Sequence, residues 1–169
     1  AEAIFGVTPA LEGDIYIDGE KCVIQSVPEA MRLGIFLLPE DRRLEGLVLA
    51  SAVKDNLSLP TLMDLCTAGL IRRGRERALA EDLCEQLKVR TPNIYQTVGN
   101  LSGGNQQKVV LGKGLSRNPR VLILDEPTRG VDVGAKREIY QIMDMLAQSG
   151  AAILMISSDL EEIIGISDR

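Results

Sequence analysis

Val121-Leu-Ile-Leu-Asp-Glu-Pro-Thr128 is a four-residue aliphatic run that ends in two adjacent carboxylates and a proline. A run of that length reads as a strand buried on both faces. Downstream, Ala135 to Gln148 carries Ile139, Ile142, Met143 and Leu146 at the i, i+3, i+4, i+7 spacing of an amphipathic helix. Ala151 to Ile156 reads as a second buried strand. Strand, crossover helix and strand make a βαβ unit, which predicts a parallel sheet with a right-handed connection and helices on both faces. Ligands of such sheets bind beyond the carboxyl ends of the strands, where Asp125 and Glu126 stand. Side chains diverge at a strand end, so one carboxylate can hold a magnesium ion through water while the other orients an attacking water. An isolated Asp-Glu pair also reads simply as a turn closing a strand.

Upstream of the strand, Leu101-Ser-Gly-Gly-Asn-Gln-Gln-Lys108 leads into a predicted helix through Val109, Val110 and Leu111. Amides at a helix N-terminus, unhindered by side chains at Gly103 and Gly104, suit an anionic phosphate oxygen. Ser102 adds a hydroxyl donor. Taken alone, the stretch is also an ordinary capped loop.

Nearer the N-terminus, Ala1 to Gly6 reads as the tail of a helix. Gly13 to Gly19 and Lys21 to Ile24 read as a short strand pair. Ser26-Val-Pro-Glu29 reads as a helix start, with Ser26 as cap and Glu29 three residues on. That helix ends at Gly34, and Ile35-Phe-Leu-Leu38 follows as an apolar strand. From Ser51 to Val98 the pattern is helical, with Leu79, Leu83 and Leu87 on one face and the basic stretch Arg72 to Arg77 as a solvated helix end.

Composition narrows the chemistry. The chain has 169 residues and a formal net charge of −5, with 45% hydrophobic and 25% charged residues. That is the profile of a soluble folded domain, and the acidic balance argues against a general nucleic-acid binder. No apolar run approaches the roughly 18 to 20 residues that a membrane span needs, and Ala1-Glu2-Ala3 offers no positive n-region of a signal peptide. Cys22, Cys66 and Cys84 are scattered and read as idle or buried thiols. Histidine is absent, which removes Ser-His and Cys-His catalysis and His-based metal sites.

Leu-Ser-Gly-Gly followed by an apolar strand and Asp-Glu-Pro-Thr resembles the ATP-binding-cassette (ABC) ATPases. Arg129-Gly-Val-Asp132 matches that family's D-loop, and Ser157-Ser-Asp-Leu-Glu161 lies where it has its switch loop. Ser26 to Ile35, Leu38-Pro-Glu-Asp-Arg-Arg-Leu-Glu-Gly-Leu47 and the signature variant ending Asn105-Gln106-Gln107-Lys108 resemble the second ATPase half of ribose, galactose and xylose importers. The resemblance covers nearly the whole chain. It implies an α/β, P-loop NTPase-like core with a mostly parallel sheet (residues 1–50 and 99–169), a small N-terminal β segment and a helical subdomain (51–98). It implies ATP and Mg2+ as ligands, Glu126 as the catalytic carboxylate and Asp125 as the metal ligand. Ser102, Gly103, Gly104, Gln106, Asp132, Ser158 and Glu40 follow as nucleotide contacts. The implied partners are a second cassette paired head to tail, a membrane permease and, indirectly, a periplasmic sugar-binding protein, with no nucleic acid. The implied location is the cytoplasmic face of a bacterial inner membrane, as a peripheral subunit.

The sequence also departs from the family. The phosphate loop G-x-x-x-x-G-K-[ST] is not present: Gly112-Lys113 is followed by Gly114, and Gln107 stands where the first glycine belongs. In the sugar importers that loop precedes a helix resembling Ala1 to Gly6, so the expected start of this chain falls just after it, and its end falls before the family's final strands. The family's Q-loop glutamine aligns with Glu40 and its switch histidine with Ser158. An ionised glutamate cannot donate a hydrogen bond, and a serine cannot replace imidazole as a proton relay. These changes imply a weak home site in a half that serves mainly to lend its signature to the partner's nucleotide. A degenerate regulatory half is the alternative. A soluble cassette of DNA repair or translation is disfavoured by the lack of coiled-coil, zinc or basic insertions.

Overall fold

In the computed structural model, which describes residues 1–8, 10 and 12–168, the chain opens with a short helix α1 (Glu2–Phe5) closed by Gly6 in the left-handed region. Strands β1 (Ile15–Ile17) and β2 (Glu20–Cys22) form an antiparallel hairpin in the register Ile15 to Cys22. Asp18 and Gly19 both take positive φ (52° and 82°), the requirement of the two-residue turn that matches strand twist.

Helix α2 (Val27–Arg32) begins after Ser26 as expected, but the Ser26 hydroxyl makes no capping hydrogen bond. Glu29 instead accepts from the Gln25 amide at 2.8 Å, so the carboxylate alone supplies the N-terminal clasp. Strand β3 (Ile35–Leu38) follows, then a π-helical turn, Arg42–Gly46, capped by Asp41, whose Oδ1 accepts from the amides of Arg43 and Leu44.

Residues 51–98 hold α3 (Val53–Ser58), a 3-10 turn at Leu59–Thr61, α4 (Arg73–Gln86) and the start of a 3-10 turn at Val98–Asn100, with turns and extended chain between. Between them lies a small hairpin, β4 (Cys66–Thr67) and β5 (Leu70–Ile71), that the helical reading of this region passed over. Arg72 to Arg77 opens α4, and Leu83 and Leu87 of its apolar face are buried, with Leu79 packed beside them.

Helix α5 (Gly103–Leu115), strand β6 (Val121–Asp125), helix α6 (Val133–Gln148), strand β7 (Ala152–Ile156) and helix α7 (Leu160–Ile166) complete the chain. Strands β3, β6 and β7 form a parallel sheet in that order, with Ile35 opposite Val121 and Val121 opposite Ala152. One face, bearing Phe36, Leu38, Leu122 and Leu124, shares a core with α3, α4, α5 and the Ile139-Ile142-Met143-Leu146 stripe of α6. The other face, bearing Ile35 and Ile123, packs on Phe5, Ile24 and Ala30.

The expectation of a fully buried β7 is corrected. Ile153 and Met155 meet the core, whereas Leu154 (43% exposed) and Ile156 (37%) face outward, because among the described residues nothing covers that face. Helices therefore flank both faces of β3 and β6 but only one face of β7. No helix of the described residues is long and apolar enough to cross a membrane.

Candidate functional site

The turn that starts α5 presents free amide groups. Ser102 is its N-cap in extended backbone, and among the described residues the amides of Gly103, Gly104 and Asn105 donate to no backbone acceptor. The Ser102 hydroxyl accepts from Asn105 Nδ2 at 2.9 Å, and Asn105 Oδ1 accepts from the Arg90 amide at 2.8 Å. The two glycines also answer a packing demand. A Cβ on Gly104 would lie 2.5 Å from Ala135 Cβ, and one on Gly103 would lie 2.8 Å from Arg42 Nη2 and 3.2 Å from the Gly130 carbonyl. Helices α5 and α6 thus meet through absent side chains.

Beside this turn is a cleft of about 140 Å³, lined among others by Ser102, Asn105, Lys108, Asp132 and Glu138. Lys108 is buried, yet its ammonium donates to the Lys88 carbonyl (2.9 Å) and to Glu138 Oε2 (2.6 Å), while Arg90 takes Glu138 Oε1. The hydrogen bond from Lys108 holds the Glu138 carboxyl below its usual range. Gln106, expected among the nucleotide contacts, faces the other way. It is buried, and its amide donates to the carbonyls of Val98 and Gly99 at 3.3 Å. One helical turn past the cap, its position points into the core rather than along the axis.

At the carboxyl end of β6, Asp125 pairs in register with Ile156. Among the described residues its carboxylate carries no hydrogen bond or ion pair. Glu126 adopts φ of +47°, rare for a residue with a side chain, and its amide donates to the Ile156 carbonyl at 2.9 Å. Its Oε1 accepts from the Ser158 amide at 2.7 Å, so Ser158 meets the carboxylate through its backbone.

Behind this loop lies a residue that the sequence reading missed. Glu162 of α7 is buried and accepts from Thr128 Oγ1, Tyr140 OH (2.6 Å), Ser157 Oγ (2.7 Å) and Lys136 Nζ (3.0 Å). Burial is the largest single influence and opposes ionisation, but the donors together outweigh it and bring the pKa down to about 2. The sequence shows only a glutamate in an acidic helix start; nothing local marks its burial.

The loop from Glu126 to Asp132 connects the two regions. Glu40 is exposed and forms an ion pair with Arg129. Arg42 donates from Nη1 to the Arg129 carbonyl (2.7 Å) and from Nη2 to the Gly130 carbonyl (3.1 Å), and among the described residues its buried Nε has no partner. Asp132 serves as the N-cap of α6, accepting from the Ala135 amide at 2.9 Å, so that carboxylate is engaged in holding a helix. Ser102, Gly103, Gly104, Asp132 and Glu40 are thereby gathered along one edge. Asp125, Glu126 and Ser158 stand together at the sheet's carboxyl end. Gly112-Lys113-Gly114 is internal to α5, with Lys113 donating to the Gly46 carbonyl, so this Gly-Lys pair is a packing feature. The three cysteines are unpaired, and burial pushes the Cys84 thiol up to about 11.

A family model described as ABC transporter matches residues 1–129. The chain is 54% identical over 168 residues to a ribose import ATP-binding protein of Geobacillus kaustophilus, covering 99% of this chain and 34% of that protein. It is 50% identical over 169 residues to a ribose import ATP-binding protein of Yersinia pestis, covering 100% and 33%. The chain thus spans about a third of the length of these relatives. Among solved structures, a nucleotide-free ATP-binding cassette from an ABC transporter superposes with a TM-score of 0.76 at 23% identity, covering 99% of this chain and 68% of that one. A dimeric post-hydrolysis ATP-binding cassette bound to ADP and Pi superposes with a TM-score of 0.75 at 20% identity, covering 95% and 68%. These two likenesses concern the fold.

Proposed function

This chain belongs to the ABC transporter family, and from that premise we propose that it forms part of the ATP-binding and ATP-hydrolysing component of a sugar importer. In this reading the component lies peripherally at the cytoplasmic face of a bacterial inner membrane and couples hydrolysis to uptake through a permease, which a periplasmic sugar-binding protein supplies. Residues 51–98 form the part that meets the permease. The names and high identity of the relatives support the sugar-import assignment.

Within that assembly the chain's main contribution is its signature edge, offered head to tail to a nucleotide on a second cassette. The observation that carries this is the N-terminus of α5, where three amides that have no backbone acceptor among the described residues sit beside the Ser102 hydroxyl. Aligned amides and the helix dipole stabilise a phosphate oxygen at such a site.

The home site has a simpler division of labour. Asp125, at the end of a parallel strand and with no side-chain partner among the described residues, fits a hard divalent cation. Among the described residues no cluster of three or more acidic, cysteine or histidine side chains could hold a metal unaided. That suits Mg2+, which is usually held by one or two carboxylates with phosphate oxygens and water. When bound, Mg2+ would neutralise charge on the phosphates. Glu126 keeps Oε1 on the Ser158 amide, leaving Oε2 to orient a water and accept its proton. Ser158 brings no imidazole and Glu40 is paired with Arg129, so this half's own turnover is slow. The Glu40 pairing equally favours the second reading, a regulatory half that binds nucleotide without turning it over.

Two substitutions in the full-length protein test the assignment. Ser102→Asp puts another residue suited to the N-cap position there but places an anion where the phosphate belongs, and is expected to lower ATP turnover by about 100-fold. Glu126→Gln is expected to leave most turnover in place. Complete loss of turnover in Glu126→Gln overturns the signature-donor assignment.

A further inference from the structure

Three polar links converge on the loop after Glu126 from a segment far away in sequence. Glu40 pairs with Arg129, and Arg42 reaches the carbonyls of Arg129 and Gly130 with its two terminal nitrogens. The same guanidinium lies over the signature turn, where a Cβ on Gly103 would come within 2.8 Å of Nη2. The segment that carries Arg42 is itself fixed to α5. Gly46 accepts from Lys113, a Cβ on Gly46 would meet Val110 at 3.0 Å, and Asp41 caps the π-helical turn. Arg42 therefore touches the Arg129–Gly130 loop and the Gly103 turn at once, from a base anchored on the helix that bears the turn. Among the described residues its buried Nε has no partner. Leaving a charged donor unsatisfied is costly, so the side chain is held here by the two carbonyls and not by its own solvation.

We propose that Arg42 is a positioning residue that clamps the Arg129–Gly130 loop against the Ser102–Gly104 turn and so fixes the edge presented to the second cassette. The proposal rests on the head-to-tail reading given above. The guanidinium fork suits the task because two carbonyls in adjacent residues accept from two nitrogens of one rigid plane, which an ammonium cannot reproduce. Arg42 touches no nucleotide in this account; it acts through the turn and the loop.

The test uses the full-length protein with Arg42→Lys and Arg42→Ala. Hydrogen exchange is followed by mass spectrometry in peptides spanning residues 102–106 and 128–134, with β3 and β6 peptides as internal controls. Both variants are expected to exchange at least tenfold faster in the first two regions while the strand peptides stay protected. ATP turnover is expected to fall about tenfold in kcat with KM changing less than twofold, since the site is still bound but less well aligned. Unchanged exchange at 102–106 and 128–134 overturns the proposal, and so does faster exchange there without any fall in kcat. Full recovery by Arg42→Lys overturns it as well, because a single cation would then suffice. Loss of protection throughout, strands included, assigns Arg42 a general folding role and also overturns it. The head-to-tail reading fails separately, through the Glu126→Gln result, and leaves the exchange measurement on Arg42 standing.

Discussion

Replacing Glu162 with glutamine isolates what the charge of one buried carboxylate contributes. Its neighbours are Thr128, Tyr140, Ser157 and Lys136, and Lys136 also reaches Asp159 at 3.3 Å. Folding brings the Glu162 pKa from its ordinary 4.5 to about 2. At about 1.4 kcal/mol per pH unit, the ionised form gains roughly 3 kcal/mol in the folded state. A depressed carboxylate pKa stabilises above the unfolded value, so the contribution is complete above about 4.5 and disappears as pH falls toward about 2. Glu162→Gln has no such charge. At pH 7 it is expected to be less stable than the parent by roughly 3 kcal/mol, or roughly 6 to 12 °C in melting temperature. Urea denaturation of parent and variant at half-unit steps from pH 7 to pH 2.5 gives the comparison. The gap should hold from pH 7 to about 5 and then narrow steadily. A gap that stays constant down to pH 2.5, or no gap at pH 7, refutes the reasoning, because neither is compatible with a charge stabilised by those four donors.

Two other perturbations act on the packing behind the signature turn. Gly104→Ala puts a methyl 2.5 Å from Ala135 Cβ, so α5 and α6 must separate by about 1 Å; a loss of about 1 to 3 kcal/mol is expected by denaturant titration, relieved by a compensating Ala135→Gly. Lys108→Ala should lose about 2 to 4 kcal/mol, by leaving a cavity and an unsatisfied Lys88 carbonyl, whereas Lys108→Met fills the space and should lose about half as much, both read from chemical denaturation midpoints.

What the sequence made legible follows from the range over which each signal acts. β6 and α6 were plain because an aliphatic run and a heptad-like stripe are local patterns with one structural solution each. The Asp125-Glu126 pair was placed at a strand end by the same logic. The hairpin of β4 and β5 was passed over because its strands are two residues long, although Ala68 and Gly69, both at positive φ, hold the turn. Gln106 enters the nucleotide contacts only through the family resemblance, and its burial against Val98 and Gly99 follows from the depth of α5 in the core, which no local pattern marks. Arg42 and Glu162 could not be found at all. Their partners lie up to 88 residues away, and the chemistry of each is created by burial against them.

The depth of α5 has a mechanical consequence. Nine of its 13 residues are buried, walled by α3 and α4 on one flank and by β3 and α6 on others. A helix so enclosed, about 20 Å long, cannot bend or unwind along its buried middle without opening the core around it, whereas its partly exposed Ser102–Gly103 tip can loosen alone. Its middle is expected to move as a stiff rod or stay still. A tilt or slide of that rod as a whole carries its opposite end with it, just beyond which Arg117 pairs with Asp64 at 2.6 Å. The Ser102 turn and that distant ion pair lie at the two ends of one enclosed helix.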